Sequence, residues 1–335
     1  MIDTRIQLPD APAIPGLRFR MFDPGRDYDA FVELVGEANR ADGVDYLPSV
    51  EGLRNDHEHG GEYDPRRDLI LAEVESDLVA AAESIVRTRD GIGVHQVEGW
   101  VRPAWRRRGL GRALLHWSER RAAEVALVDG RPAERALSAW PDEDQVGATT
   151  LYEAEGYAIV RYGFLMLRDL ADPIAELAMP AGLELRPVTE TDHRRIWDAD
   201  TEAFRDHWNP MERSDADFES WFAEPDLDTR LWRVAWDGDE VAGSVMTFIW
   251  PSENEGLGLE RGWLEHVSVR RPWRRRGLAS ALMASALAGL REAGMTEAAL
   301  GVDAENISGA LRVYEAMGFR RARTGVSYRK AFSAG

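Results

Sequence analysis

Six residues, WRRRGL, occur twice in the chain, at 105–110 and at 273–278. Each copy follows a short, half-apolar run, 96–101 (QVEGWV) or 264–269 (LEHVSV), and opens an apolar run at helical spacing. A helix N-terminus presents unpaired backbone N–H groups and about half a positive charge, and small residues there let an anion approach the main chain closely. Gly109, Leu110 and Gly111 in one copy, and Gly277, Leu278 and Ala279 in the other, therefore read as phosphate cradles. Arg106, Arg107 and Arg108, or Arg274, Arg275 and Arg276, stand in front of them. Neither copy has the three glycines of a dinucleotide fingerprint, and no Gly-Lys-Ser/Thr of a nucleotide P-loop is present.

The elements that must position these turns also repeat. Residues 17–22 (LRFRMF) and the amphipathic stretch 29–39 parallel 183–188 (LELRPV) and 192–204, each reading as a strand and then a helix. Hairpin patterns alternate around ESD, between 68–74 and 78–86, and around DGDE, between 231–236 and 241–249. Downstream, 147–157 (GATTLYEAEGY) parallels 309–319 (GALRVYEAMGF). Each half thus predicts strand, helix, hairpin, strand, RRRG turn, helix, strand, helix and closing strands. The stretch 168–182, punctuated by Pro173 and Pro180, reads as the linker, giving two α/β (α+β) domains, 1–172 and 173–335.

The 335 residues suit two domains, and 44% apolar with 30% charged residues describe a soluble globular chain. A net charge of −18 argues against nucleic-acid binding; it keeps the chain soluble through self-repulsion, and it would also attract cationic substrates such as amines. No cysteine is present, so thiolate catalysis and disulfides are excluded. No run of apolar residues reaches membrane-span or signal-peptide length, which predicts a cytoplasmic protein without a membrane partner. Lys330 is the single lysine beside forty arginines, so arginine triplets alone carry little weight.

Two copies of Arg-x-x-Gly-x-Gly/Ala in register, each followed by Tyr-Glu-Ala-x-Gly-aromatic, resemble the GCN5-related N-acetyltransferases, and the whole chain resembles a tandem, two-domain member of that family. The resemblance implies two domains, each a mixed, splayed sheet flanked by helices, and acetyl-CoA as cofactor with its pyrophosphate on the RRRG turn. It implies that the strand before the turn bulges and parts from the next parallel strand, 136–140 or 298–302. Pantetheine then pairs with backbone groups of Gly99 and Val101, or of Val267 and Val269. Tyr314 matches the family's general acid, and Tyr152 matches it in the first half. Asn306 matches an asparagine that contacts the cofactor. The first half departs there, with Asp144 at the matching position and Pro141 at the strand end, so catalysis is expected chiefly in the second half.

Direct attack on a thioester requires a neutral amine and hence a base. Strict alternation along the strand puts Glu265 on the face of Val267 and Val269, making it the expected base, while His266 faces away as a structural histidine. The first half has Val97 in Glu265's place, with His95 on the same face as a substitute. The expected activity is acetyl transfer in a ternary complex to a primary amine of a small molecule or peptide; a non-catalytic acyl-CoA-binding sensor is the alternative. The aromatic and acidic segment 204–228 reads as acceptor-side surface without assigned contacts. His57 and His59 read as loop polars, and no metal is expected.

Overall fold

A computed structural model describes residues 6–59, 61, 63–130, 134–305 and 309–332. The first half runs β1 (Leu17–Met21), α1 (Tyr28–Asp42), α2 (Val50–Glu58), α3 (Pro65–Asp68), β2 (Leu69–Val74), β3 (Asp77–Arg89), β4 (Ile92–Val101), α4 (Leu110–Ala126), β5 (Arg135–Ala139), α5 (Val146–Ala154) and β6 (Ala158–Asp169). The second runs β7 (Glu184–Arg186), α6 (His193–Phe204), α7 (Asp215–Phe222), β8 (Arg233–Asp237), β9 (Glu240–Phe248), α8 (Pro251–Leu257), β10 (Arg261–Val269), α9 (Leu278–Glu292), β11 (Glu297–Asp303), α10 (Ala310–Ala316) and β12 (Arg320–Phe332). No helix among the described residues is long and apolar enough to cross a membrane.

The chain forms two compact units. Unit 1 comprises residues 1–160, 214–225 and 326–335; unit 2 comprises 161–213 and 226–325. Each unit thus takes its last strand from the other half of the chain. In unit 1, Tyr328–Phe332 of β12 run antiparallel to β5, whereas in unit 2 residues 163–169 of β6 run antiparallel to β11. The order is β1-β2-β3-β4-β5-β12 in unit 1 and β6-β11-β10-β9-β8-β7 in unit 2. Each sheet is mixed, with one parallel pair, β4–β5 or β10–β11, among antiparallel neighbours.

Two-residue turns set the register of unit 1. Glu75 and Ser76 have φ of 52° and 80°, and Asp90 and Gly91 have φ of 50° and 74°, the doubly left-handed turn whose twist matches that of paired strands. The Asp90-Gly91 turn makes β4 longer than the 96–101 run that reads as a strand in the sequence, starting it at Ile92. From Arg89↔Ile92 the pairing runs without a shift to Ala80↔Val101.

The long helix after each RRRG turn forms the floor. In α9, Leu278, Leu282, Met283, Leu287 and Leu290 are at most 1% exposed and pack with Leu264, Ala298 and Leu300 of the sheet. Each such side chain contributes about 2 kcal/mol by leaving water. Leu110, Ala113, Leu114 and Trp117 of α4 do the same beneath β2 and β3.

Candidate active sites

The two RRRG turns are built alike. Arg106 and Arg274 are extended, Arg107 and Arg275 sit at φ of 60° and 59°, and Gly109 and Gly277 follow at 90° and 83°. A left-handed arginine costs about 1 kcal/mol, and its recurrence shows that the turn is over-determined by its surroundings. The first arginine holds it. Arg106 Nε donates to Val101 O at 3.0 Å and its Nη1 to Asp42 Oδ1 at 2.6 Å. Arg274 Nε donates to Val269 O at 2.9 Å and its Nη1 to Asp206 Oδ2 at 2.6 Å. These two guanidinium groups, expected beside the pyrophosphate, clamp the turn to the strand end and to a carboxylate at the end of the first helix. Both flanking arginines of each turn are exposed; Arg108 lies over the Trp105 ring at 4.8 Å, and Arg276 Nη2 donates to Ala181 O at 3.0 Å.

Behind each turn the parallel strands part. Pairing of β4 with β5 ends at Gln96↔Ser138, leaving Gly99 and Val101 without a strand partner on that side among the described residues, and pairing of β10 with β11 ends at Trp263↔Ala299, doing the same for Val267 and Val269.

In unit 2 the opening coincides with a bulge between Leu264 and His266, where Glu265 is the extra residue. The bulge breaks the alternation on which a shared face for Glu265, Val267 and Val269 depended. Both valines pack against the core cluster that contains α9; Glu265 is solvent-exposed and accepts from Trp250 Nε1 at 3.2 Å. Although the side chain reaches solvent, the protein crowded around its carboxyl partly desolvates it and raises it, with Trp250 and His266 opposing. His266 Nδ1 lies 2.8 Å from Asp200 Oδ2, which also accepts from Arg213 Nη1 at 2.8 Å. Burial would push Asp200 up, but His266 and Arg213 override it and hold the carboxyl at about 2. Tyr314 is 8% exposed, and burial pushes its phenol up to about 12, so it stays protonated at neutral pH. Asn306 lies outside the described residues.

Unit 1 holds a cavity of about 560 Å³. It is lined by Gly99, Val101, Arg106, Arg107, Leu110, Gly111 and Tyr152, all expected at a cofactor site; Arg108 and Gly109 are not on its wall. A Cβ on Gly109 would stand 3.3 Å from Pro12 Cβ, whereas one on Gly277 meets nothing within 4 Å. His95, offered as a base, is 1% exposed, packs edge-on against Phe332 and does not line the cavity. Glu98 does line it.

Residues 33–157 and again 193–319 match the acetyltransferase (GNAT) family. The chain belongs to this family. It is an N-acetyltransferase of tandem GNAT architecture whose acetyl donor is acetyl-CoA. Among its relatives is the mycothiol acetyltransferase of Geodermatophilus obscurus, 32% identical over 305 residues and covering 90% of this chain and 94% of the relative. The mycothiol acetyltransferase of Kineococcus radiotolerans is 31% identical over 95% of this chain and 96% of its own. A solved GCN5-related N-acetyltransferase from Sphaerobacter thermophilus superposes with a TM-score of 0.72 at 27% identity, over 96% of this chain and 97% of that one.

The residues present suit acetyl-CoA: Gly277 leaves the helix amides open, and the parted strands leave backbone groups without a sheet partner. Other features of these GNAT units escaped the sequence reading. Asp200 is 66 residues from His266, and only the fold joins them. Glu83 and Glu98 are direct cross-strand partners, a pairing that follows by counting outward from the Asp90-Gly91 turn. His57 is packed among Phe22, Tyr28 and Tyr63, with Nδ1 3.0 Å from Tyr28 Oη, and burial lowers it to about 4.

Proposed function

We propose that the chain acetylates a primary amine by direct attack in a ternary complex, with unit 2 as the principal site. The observation that carries this reading is the coincidence, in one strand, of the bulge at Glu265 and the end of pairing with β11. Acetyl-CoA supplies the acetyl group as an activated thioester. Backbone groups of Val267 and Val269 align the pantetheine arm, and the amides of Leu278 and Ala279, with Arg275 and Arg276, bind the diphosphate at the helix N-terminus. Arg274 positions the turn. Gly99, Val101, Arg107, Leu110 and Gly111 serve a second molecule in unit 1, with Arg106 as its clamp.

Glu265 takes the proton of the incoming ammonium, directly or through water. Its raised carboxyl makes it a stronger base than an ordinary glutamate. Tyr314 O–H donates to the departing sulfur. A primary amine is the acceptor class that this base chemistry and the acidic chain favour; the mycothiol acetyltransferases are relatives of matching length that carry out acetyl transfer.

Turnover is read as thiol release from acetyl-CoA across an amine library and across pH. Glu265→Gln and Tyr314→Phe are each expected to lower turnover roughly 100-fold or more, since positioned acids and bases contribute about 100- to 10,000-fold. Unchanged pH profiles in both variants would remove these roles.

A further inference from the structure

Between β9 and β10 unit 2 carries α8, whereas the matching connection in unit 1 is the two-residue Asp90-Gly91 turn. The insertion is firmly built. Asn254 Nδ2 donates to Arg261 O at 3.0 Å, Arg261 N–H donates to Asn254 Oδ1 at 3.1 Å, and Trp263 Nε1 donates to Glu253 Oε1 at 2.8 Å. Glu253 and Asn254 are 5% and 9% exposed. A helix of seven residues is too short to hold itself, and these buried contacts fix it to the start of β10.

Trp250 stands where β9 passes into α8. Its backbone is extended, with φ of −99° and ψ of 98°, as suits a residue before proline. Its ring stacks on that of Phe248, with centroids 4.9 Å apart and planes 17° apart, and Phe248 is itself buried beside Trp232. A stacked indole has few alternative orientations, and this one donates its Nε1–H to Glu265 Oε1 at 3.2 Å.

The bulge gives that contact its importance. In a regular strand the pleat decides which way a side chain faces; Glu265, as the extra residue, escapes this control and reaches solvent, where a glutamate has several rotamers open to it. Unit 1 has Val97 in place of Glu265, pairing of β3 with β4 that runs without a shift, and no inserted helix. Acid, bulge and platform thus occur together in one unit and are missing together from the other.

We propose that Trp250 is the positioning residue for the base of unit 2: carried on the α8 platform, its indole N–H holds the Glu265 carboxylate in the direction from which it takes the amine proton. The proposal rests on the reading of Glu265 as that base. A donor to a carboxylate also favours the ionised form, so Trp250 opposes the desolvation that raises Glu265. The other charged group facing Glu265 is His266 of β10, with Asp200 of α6 and Arg213 behind it. Trp250→Phe leaves these three in place.

The test uses the full chain. Among the indole N–H signals followed by NMR, the one that disappears in Trp250→Phe belongs to Trp250. In the parent chain this signal is expected to move with pH as Glu265 ionises, and in Glu265→Gln that movement should vanish. The measurement needs neither cofactor nor acceptor and stands on its own. Trp250→Phe keeps a ring on Phe248 and removes the N–H, and the remaining indole signals report whether the variant is folded. Thiol release from acetyl-CoA, with n-propylamine as probe amine, is expected to fall roughly tenfold on its plateau in Trp250→Phe. The acidic limb of its pH profile should move to higher pH, because the donor that favoured the carboxylate is gone. In a chain already carrying Glu265→Gln, Trp250→Phe should have no further effect. A Trp250 signal indifferent to Glu265→Gln overturns the proposal, as does an equal loss from Trp250→Phe in the Glu265→Gln background, which marks a merely structural role. If Glu265→Gln lowers turnover while Trp250→Phe alters neither plateau nor limb, the positioning role alone falls. If Glu265→Gln leaves turnover unchanged, the reading of Glu265 as base falls and takes this role with it.

Discussion

Units 1 and 2 share a turn of the same backbone form and differ in the strand that precedes it. Arg106–Asp42 and Arg274–Asp206 are the same clamp, and Arg107 and Arg275 adopt the same left-handed backbone. One residue beyond the base position, however, the strands diverge. Unit 2 has a bulge and then His266, tied to buried Asp200; unit 1 has unbroken pairing and, in register with His266, Glu98 facing Glu83. The comparison teaches that the turn and its clamp are duplicated, while the ionisable groups of the preceding strand differ between the units.

The pH dependences of these two clusters run in opposite directions. Asp200 is held at about 2, below its ordinary value, so its contribution to the stability of unit 2 is fully present above about 3.8 and is lost as pH falls towards 2. The Glu83–Glu98 pair is raised, so folding favours its protonated form; this contribution to unit 1 is present in mild acid and is lost as pH rises above the ordinary glutamate range. Asp200→Asn is the harshest way to break the contrast. It leaves Arg213 without its buried carboxylate and frees His266, which is expected to cost unit 2 about 3 kcal/mol. Hydrogen exchange read by mass spectrometry, unit by unit, should show faster exchange in α6 and β10 with unit 1 unaffected. Protection unaltered in β10 would show that the ion pair does not anchor this strand.

Glu83→Gln works in the other direction with a smaller effect. Removing one member of a repelling pair is expected to stabilise unit 1 by about 1 kcal/mol at pH 8, and by progressively less towards pH 5, where the pair already holds its proton. The same exchange experiment on β3 and β4 checks this. A destabilised unit 1 at pH 8 would mean that the hydrogen bond donated by Tyr63 O–H to Glu83 Oε2 outweighs the repulsion.

Much of this architecture was legible in the sequence, and the illegible parts have identifiable causes. The WRRRGL repeat located both turns and both floor helices because the spacing of small and apolar residues is a local property, whereas the parting of the strands was implied by the family resemblance. The bulge at Glu265 was not legible as a change of face, since a single inserted residue leaves the side-chain pattern intact while reversing its parity. The exchange of closing strands was hidden for a different reason: the pairings of β6 with β11 and of β12 with β5 join residues far apart in the chain, which no local pattern reports. The Glu83–Glu98 pairing, by contrast, was available in advance, because a two-residue Asp-Gly turn sets every partner along the hairpin.

The smallest predicted effects test whether the two cradles are equally accessible. Gly277→Ala places a methyl group in open space at φ of 83°, so its cost is backbone strain alone, about 1 kcal/mol in the stability of unit 2. Gly109→Ala carries the same strain at φ of 90° and adds a contact 3.3 Å from Pro12, so unit 1 should lose slightly more. In the double variant Pro12→Gly, Gly109→Ala that extra increment should disappear, because the ring against which the methyl presses is gone. Differential exchange at the start of α4 and α9 measures all three. Equal losses at Gly109 and Gly277, with no effect of Pro12→Gly, would show that Pro12 does not lean on the unit 1 turn, and that the two diphosphate cradles are equally open.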